Sequence, residues 1–187
     1  MRFSLICALL SIAVCVPAPA RAQAATPGAP ARTAVDVTAS DLAAAVKIGI
    51  AALAPGNVSV SDRNIKLADI GAYNVAVAFV TRPATKVPSG RALSHDKITE
   101  IYYMIRGTGT QVTGTLVDAT RQNESATIGP GFSSASQIAG GRTTRLGPGE
   151  MQIIPPGVGH VWTDIDEGGI DYIVIRIDPE HVLSLSK

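Results

Sequence analysis

The chain has 187 residues, of which 46% are hydrophobic and 17% are charged, and its formal net charge is +1. This composition is typical of one globular domain and excludes a chain that is disordered throughout. The basic residues are scattered and are not interleaved with aromatic residues, so we expect no nucleic-acid partner.

The first 22 residues have the pattern of a secretion signal. Arg2 supplies a positive charge, residues 3–16 are nearly all apolar, and Ala20-Arg21-Ala22 offers the small residues of a cleavage site. We therefore predict a signal peptide over residues 1–22 and a secreted or periplasmic protein. The apolar run is shorter than the roughly 20 residues of a membrane-spanning helix, so we expect no membrane anchor.

Both cysteines of the chain, Cys7 and Cys15, lie inside the predicted signal. Its removal leaves a protein that cannot form a disulfide and cannot use a thiolate as nucleophile or metal ligand. Removal also takes Arg2 and Arg21, so 14 basic residues remain against 15 acidic ones. The mature chain is then close to neutral, with a charge near −1.

After the signal, residues 23–36 are rich in Ala, Pro, Gly and Thr, which predicts a flexible leader. The single folded domain is expected over residues 37–187. Its first element is a helix, because Thr38 or Ser40 can cap it and Asp41 lies in its first turn. We expect this helix to end near Ala54, since Pro55 and Gly56 follow.

From that point the sequence changes to short runs of alternating hydrophobic residues separated by turn residues. Many short strands at this spacing predict a β-sandwich or a β-barrel. Residues 118–135 have no periodicity, and we expect a long loop there that covers the mouth of the barrel. The predicted strands span residues 65–69, 73–82, 91–95, 98–106, 110–117, 136–146, 150–154, 161–165 and 170–177.

Candidate metal ligands come from the histidines, of which the chain has only three. His95 ends one predicted strand, Glu100 lies on the next, and His160 follows a Pro-Pro-Gly turn. Two imidazoles and one carboxylate that converge inside a barrel form a mononuclear site with open positions. Such a site suits one divalent ion, and iron, manganese, nickel and zinc stay open.

The stretch around His160 carries a family motif. Five residues separate Gly149 from Pro155, Gly157 follows, and His160 comes after two further residues. Three residues separate His160 from Asp164, which stands where the family usually has Asn. With this spacing the chain resembles the cupin superfamily, and the stretch is similar to the second cupin motif.

The later half of the first cupin motif is also present. Four residues separate His95 from Glu100, and six separate Glu100 from Gly107. The first histidine of the family pattern falls on Leu93, which cannot bind a metal. The resemblance covers about residues 70–178 and implies an all-β fold, a cupin-type β-barrel or jelly roll with one N-terminal helix. It also implies a metal near the barrel axis, held by His95, Glu100 and His160.

Side-chain alternation extends this site, because residues two apart on a strand share a face. A pocket with a polar metal end and an apolar, partly aromatic wall is typical of sites for small organic molecules. The residues that share a face with a ligand, and are therefore predicted to line the pocket, are Leu93, Tyr102, Met104, Trp162 and Asp164.

Two functions follow from this site. The first is a metal-dependent enzyme for a small organic molecule, of dioxygenase, isomerase or lyase type, in which the ion activates dioxygen or polarises a substrate oxygen. The second is a binding module that captures a small ligand or a metal without turnover. The sequence assigns no catalytic residue beyond the ligands, and it leaves a homodimer open.

Overall fold

The computed structural model describes residues 33–54, 59–122, 125–135 and 137–185. The predicted signal peptide (1–22) and most of the predicted leader (23–36) lie outside the described residues, and both stay predictions. Within the described residues there are one α-helix and eleven strands. In this part of the chain, no helix combines the length and the apolar character needed to cross a membrane.

The strands form two sheets in which neighbouring strands are antiparallel. The first sheet has the order β1 (Ser61–Asp69), β2 (Asn74–Arg82), β11 (Ile170–Asp178), β4 (Thr99–Arg106) and β9 (Met151–Ile154). The second sheet has the order β6 (Thr120–Arg121), β7 (Gly131–Ser134), β3 (Ala92–His95), β10 (Gly159–Ile165), β5 (Gly109–Leu116) and β8 (Ile138–Leu146). The predicted all-β fold with one N-terminal helix is confirmed.

The helix α1 (Ala39–Leu53) begins where the sequence predicts. Thr38 is its N-cap: the Asp41 backbone N–H donates to the Thr38 hydroxyl, and the Thr38 N–H donates back to the Asp41 carboxylate. The helix packs on β1 and β2. Gly49 makes this approach close, because a Cβ there would lie 2.8 Å from Thr81 Cγ2.

The space between the two sheets is filled over much of its length by apolar side chains from both of them. This core includes Val80 of β2, Met104 of β4, Tyr172 of β11, and Trp162 and Ile165 of β10. Burial of each large side chain contributes about 1.5–3 kcal/mol to folding. The core therefore fixes the positions of the strands that also carry the candidate ligands.

The loop predicted over residues 118–135 is corrected by the structure. It contains β6 and β7, and β7 pairs with β3 so that His95 lies opposite Gly131. A Cβ at Gly131 would lie 1.8 Å from the Ser94 carbonyl oxygen, so only glycine permits this approach. The sequence did not predict β7, because this four-residue strand has no alternation of hydrophobic residues. Its pairing with β3 depends on close backbone contact.

Candidate metal centre

Three strands bring the predicted ligands together across the interior. His95 ends β3 and His160 is the second residue of β10, two neighbouring strands of the second sheet. Glu100 is the second residue of β4, in the first sheet. The β3–β10 register places His160 opposite Leu93, which lies two residues before His95. Both imidazoles therefore extend from one sheet towards a carboxylate on the other.

The geometry of these three groups fits a metal ion. Glu100 Oε2 lies 3.4 Å from His95 Nε2 and 3.5 Å from His160 Nε2. All three ligand atoms lie within 4.8 Å of one another, and all three residues are buried. A tetrahedral ion with bonds of about 2.1 Å holds neighbouring ligand atoms about 3.4 Å apart. The donor set and its spacing thus suit a divalent ion.

Glu100 is held in its charged form and in one orientation. Arg176 Nε donates to Oε1 at 2.9 Å, and the Tyr102 hydroxyl donates to Oε2 at 2.9 Å. Burial alone would raise the pKa of Glu100, but the charges of His95 and Arg176 outweigh it and lower the pKa well below its usual range. The carboxylate is therefore ionised, as a metal ligand must be.

Arg176 is itself buried, and it joins Glu100 to a second carboxylate. Its two terminal nitrogens donate to Asp62 at 3.0 and 2.5 Å, and one of them also donates to Asn64 at 2.7 Å. Burial opposes the charge of Arg176, but Asp62 and Glu100 raise its pKa. Sequence reasoning missed this group. Alternation along β11 offered a signal, since Arg176 follows inward-facing Val174 by two residues.

The imidazole of His160 is also prepared for a metal. Its Nδ1 lies 3.2 Å from the Val158 carbonyl oxygen, which leaves Nε2 directed at Glu100. Metal-binding histidines commonly have such a partner on the second ring nitrogen. Burial lowers the pKa of His160 to about 4, although Glu100 opposes the shift. His160 is therefore neutral at pH 7, which is the state that binds metal.

A cavity of about 310 Å³ adjoins the three ligands. Of the predicted pocket residues, Leu93 and Tyr102 line it. Sequence reasoning missed further lining residues that lie on strands without a motif. Among these are Asp62 on β1, Arg82 on β2 and Tyr172 on β11.

The structure places the other three predicted pocket residues elsewhere. Met104 and Trp162 point inward but belong to the apolar core, where both are fully buried. Asp164 does not point inward, because an irregularity between Trp162 and Asp164 shifts the alternation of β10. A one-residue shift exchanges the two faces of a strand. Ile165 therefore occupies the core, and Asp164 pairs with Lys86 at 2.8 Å.

The glycines of both motifs have structural roles at the turns beside these strands. Gly107 has φ of +73°, and a Cβ there would lie 1.9 Å from the Gly169 carbonyl oxygen. Gly157, in the turn before β10, has φ of +79°. The motif residues thus lie at the turns and strands that build the site, between two facing antiparallel sheets. These two sheets agree with the cupin-type β-barrel or jelly roll that the sequence predicts.

The similarities to known proteins are limited to solved structures of low sequence identity. No family model matches the chain, and no curated protein matches it. Among solved structures the chain is similar to KdgF from Halomonas sp., with 12% identity and a TM-score of 0.41, over 65% of this chain and 82% of that one. It is also similar to EutQ of Clostridium difficile, with 16% identity and a TM-score of 0.39, over 67% and 74%. A Rhizobium leguminosarum protein of unknown function has 14% identity and a TM-score of 0.41, over 77% and 97%. None of these values bears on the chemistry of the site.

Proposed function

We propose that this protein is a cupin and a secreted or periplasmic enzyme that holds one divalent ion and acts on a small organic molecule. The ligands are His95, Glu100 and His160. The observation that carries the proposal is that their three buried donor atoms lie within 4.8 Å of one another beside a cavity of about 310 Å³. Iron, manganese, nickel and zinc all accept two imidazoles and a carboxylate.

The bound ion would supply a Lewis acid with open coordination positions, which suits dioxygenase, isomerase and lyase chemistry. The chain's own residues prepare the ligands. Arg176 and Tyr102 fix the two oxygens of Glu100, and the Val158 carbonyl orients His160. Burial and the nearby Glu100 raise the pKa of Tyr102 well above its usual range. Tyr102 therefore keeps its proton and acts as a hydrogen-bond donor.

A second candidate function is binding without turnover, and one observation favours it. The two carboxylates of the cavity wall are already engaged, since Arg176 contacts both Asp62 and Glu100. Of the described lining residues, none offers an unengaged carboxylate as general base. Turnover of any substrate by the metal-loaded protein, lost on chelation and restored by the ion, would exclude this second candidate.

Metal content tests the site directly. Protein purified without chelator and reconstituted in turn with iron, manganese, nickel and zinc should hold close to one ion per chain. His160→Ala should lose most of that binding. His181→Asn is the matched control, because His181 is the exposed third histidine and lies outside the ligand group. Absence of binding for all four metals, or full binding by His160→Ala, would contradict the proposal.

Location is tested separately. In a bacterial host, the full chain should be recovered outside the cytoplasm and should lack residues 1–22. A chain that begins at Gln23 should stay in the cytoplasm. Recovery of the full chain in the cytoplasm with Met1 intact would contradict the secretion part of the proposal and leave the metal site unaffected.

A further inference from the structure

Arg82 is a cavity-lining cation with an unusual set of contacts. It is the last residue of β2 and lines the same cavity as His95, Glu100 and His160. Its Nε donates to the Tyr172 hydroxyl at 3.0 Å, and its Nη1 donates to the Ser89 hydroxyl at 3.2 Å. These partners are neutral. Among the described residues, no carboxylate forms an ion pair with Arg82, and its hydrogen bonds to them come from Nε and Nη1.

Other arginines of the protein, unlike Arg82, form ion pairs with carboxylates. Arg176, which is fully buried, has Asp62 and Glu100 as partners, whereas Arg82 is partly buried. Arg106 and Arg145, which are half exposed, each pair with an aspartate. Even partial withdrawal of a guanidinium from water has a cost, which pairing with an opposite charge offsets. Arg82 lacks that partner within the described chain, yet it is the arginine that lines the cavity.

The orientation of Arg82 is also fixed in advance. Tyr172 and Ser89 accept from two of its nitrogens, and Ser89 is itself anchored, because its N–H donates to the Trp162 carbonyl at 2.7 Å. A guanidinium held in this way loses little conformational freedom when it binds a further acceptor. These contacts therefore hold the Arg82 side chain in one orientation, and its remaining N–H groups can donate to a molecule in the cavity.

The charges around the cavity favour an anion there. The two carboxylates, Asp62 and Glu100, are balanced by the two guanidinium groups of Arg82 and Arg176. One bound divalent ion would give the site a positive excess. Because this step uses the ion, it rests on the proposed function. The contacts of Arg82 do not depend on it.

We propose that the cavity takes a small organic carboxylate and that the Arg82 guanidinium binds the carboxylate group. The volume of about 310 Å³ lies at the lower end of the range for ligand pockets, so the molecule is small. Val60, Leu93 and Ile128 provide apolar wall for its hydrocarbon part. Arg82 is the one cation among the described lining residues. A single planar fork matches a carboxylate, whereas a phosphate usually engages several donors.

Calorimetric titration of zinc-loaded protein tests this with succinate, its uncharged diamide succinamide, and inorganic phosphate. Succinate should bind at least about tenfold tighter than succinamide, the gain of a charge-assisted pair. Arg82→Gln should weaken succinate binding about tenfold or more and leave succinamide unaffected. Arg82→Lys, which keeps the charge and loses the fork, should weaken it about threefold and covers the case in which Arg82→Gln does not fold.

Arg145→Gln, a surface arginine paired with Asp166, is the matched control and should bind succinate like the wild type. Unchanged succinate affinity in folded Arg82→Gln, or tighter binding of phosphate than of succinate by the wild type, would overturn the proposal. The same titrations on metal-free protein separate the two proposals. If zinc uptake fails but an Arg82-dependent preference for succinate persists, the metal site is wrong and the carboxylate site stands.

Discussion

The two ends of the interior are built by the same strands and differ sharply in chemistry. On β4 the inward face runs from Glu100 through Tyr102 to Met104, and on β11 it runs from Arg176 to Tyr172. The register pairs Arg176 with Glu100 and Tyr172 with Met104. The buried ion pair and the apolar core thus lie only four positions apart along each strand. The apolar end positions the strands, and the polar end carries charges whose positions depend on that framework.

The largest expected effect comes from the polar end. Arg176→Met removes the partner of two carboxylates, Asp62 and Glu100, and leaves Glu100 buried without its cation. Breaking such a buried pair costs about 3–5 kcal/mol in the free energy of unfolding. Urea denaturation of the metal-free protein measures this loss. Zinc should recover more stability in the variant than in the wild type, because the ion supplies the positive charge that Glu100 has lost.

Met104→Ala is the control from the apolar end. It leaves a cavity in the core and should cost about 2–5 kcal/mol, a loss close to that of Arg176→Met. Zinc should recover no more stability in this variant than in the wild type, because Met104 contacts the apolar cluster and carries no charge. Equal recovery in both variants would show that the two ends are not distinct in the way their chemistry indicates.

A smaller effect is expected from pH. Burial lowers the pKa of His160 from 6.5 to about 4, so between these values the unfolded chain takes up a proton that the metal-free native state does not. Stability from this group is complete above pH 6.5 and is lost as the pH falls towards 4, by about 3 kcal/mol at most. Urea denaturation at several pH values measures the slope.

The charge of Glu100 does not obscure this pH window. Its pKa lies well below 4.5, so its own contribution to stability is complete above that pH and starts to fall only below it. In His160→Asn, the fall in stability between pH 6.5 and about pH 5 should be shallower than in the wild type. Identical slopes in the two proteins would mean that His160 is not held neutral by the fold.

Features that depend on a short stretch of sequence were predicted correctly, and features that depend on distant parts of the chain were not. The helix cap at Thr38 and the spacing of Glu100 and Gly107 are local patterns, and the structure has them where they were expected. The displacement of Asp164 follows from an irregularity in β10 that no residue type marks. Asp62 and Arg176 lie 114 residues apart in the chain, and only the strand order β1-β2-β11-β4 brings them together.

The last prediction concerns Leu93, where the chain departs from the cupin pattern. Leu93 lies opposite His160 in the register, two residues before His95, and it lines the cavity. Opposite residues on antiparallel strands have Cβ atoms about 4.5–5.5 Å apart. An imidazole in place of Leu93 therefore starts on the ligand side of the strand and within reach of an ion held by the other three groups.

Leu93→His should bind zinc about tenfold more tightly than the wild type, because a fourth protein ligand replaces a coordination position left to water or substrate. Competition with a chelating dye measures the affinity. Leu93→Asn is the control, because it adds a polar group of similar reach that binds zinc poorly. Unchanged affinity, with the new imidazole turned away from the ion in a crystal structure of the variant, would mean that the inward face of β3 has been assigned incorrectly. In that case the role of His95 as a ligand, which depends on the same face, would have to be abandoned as well.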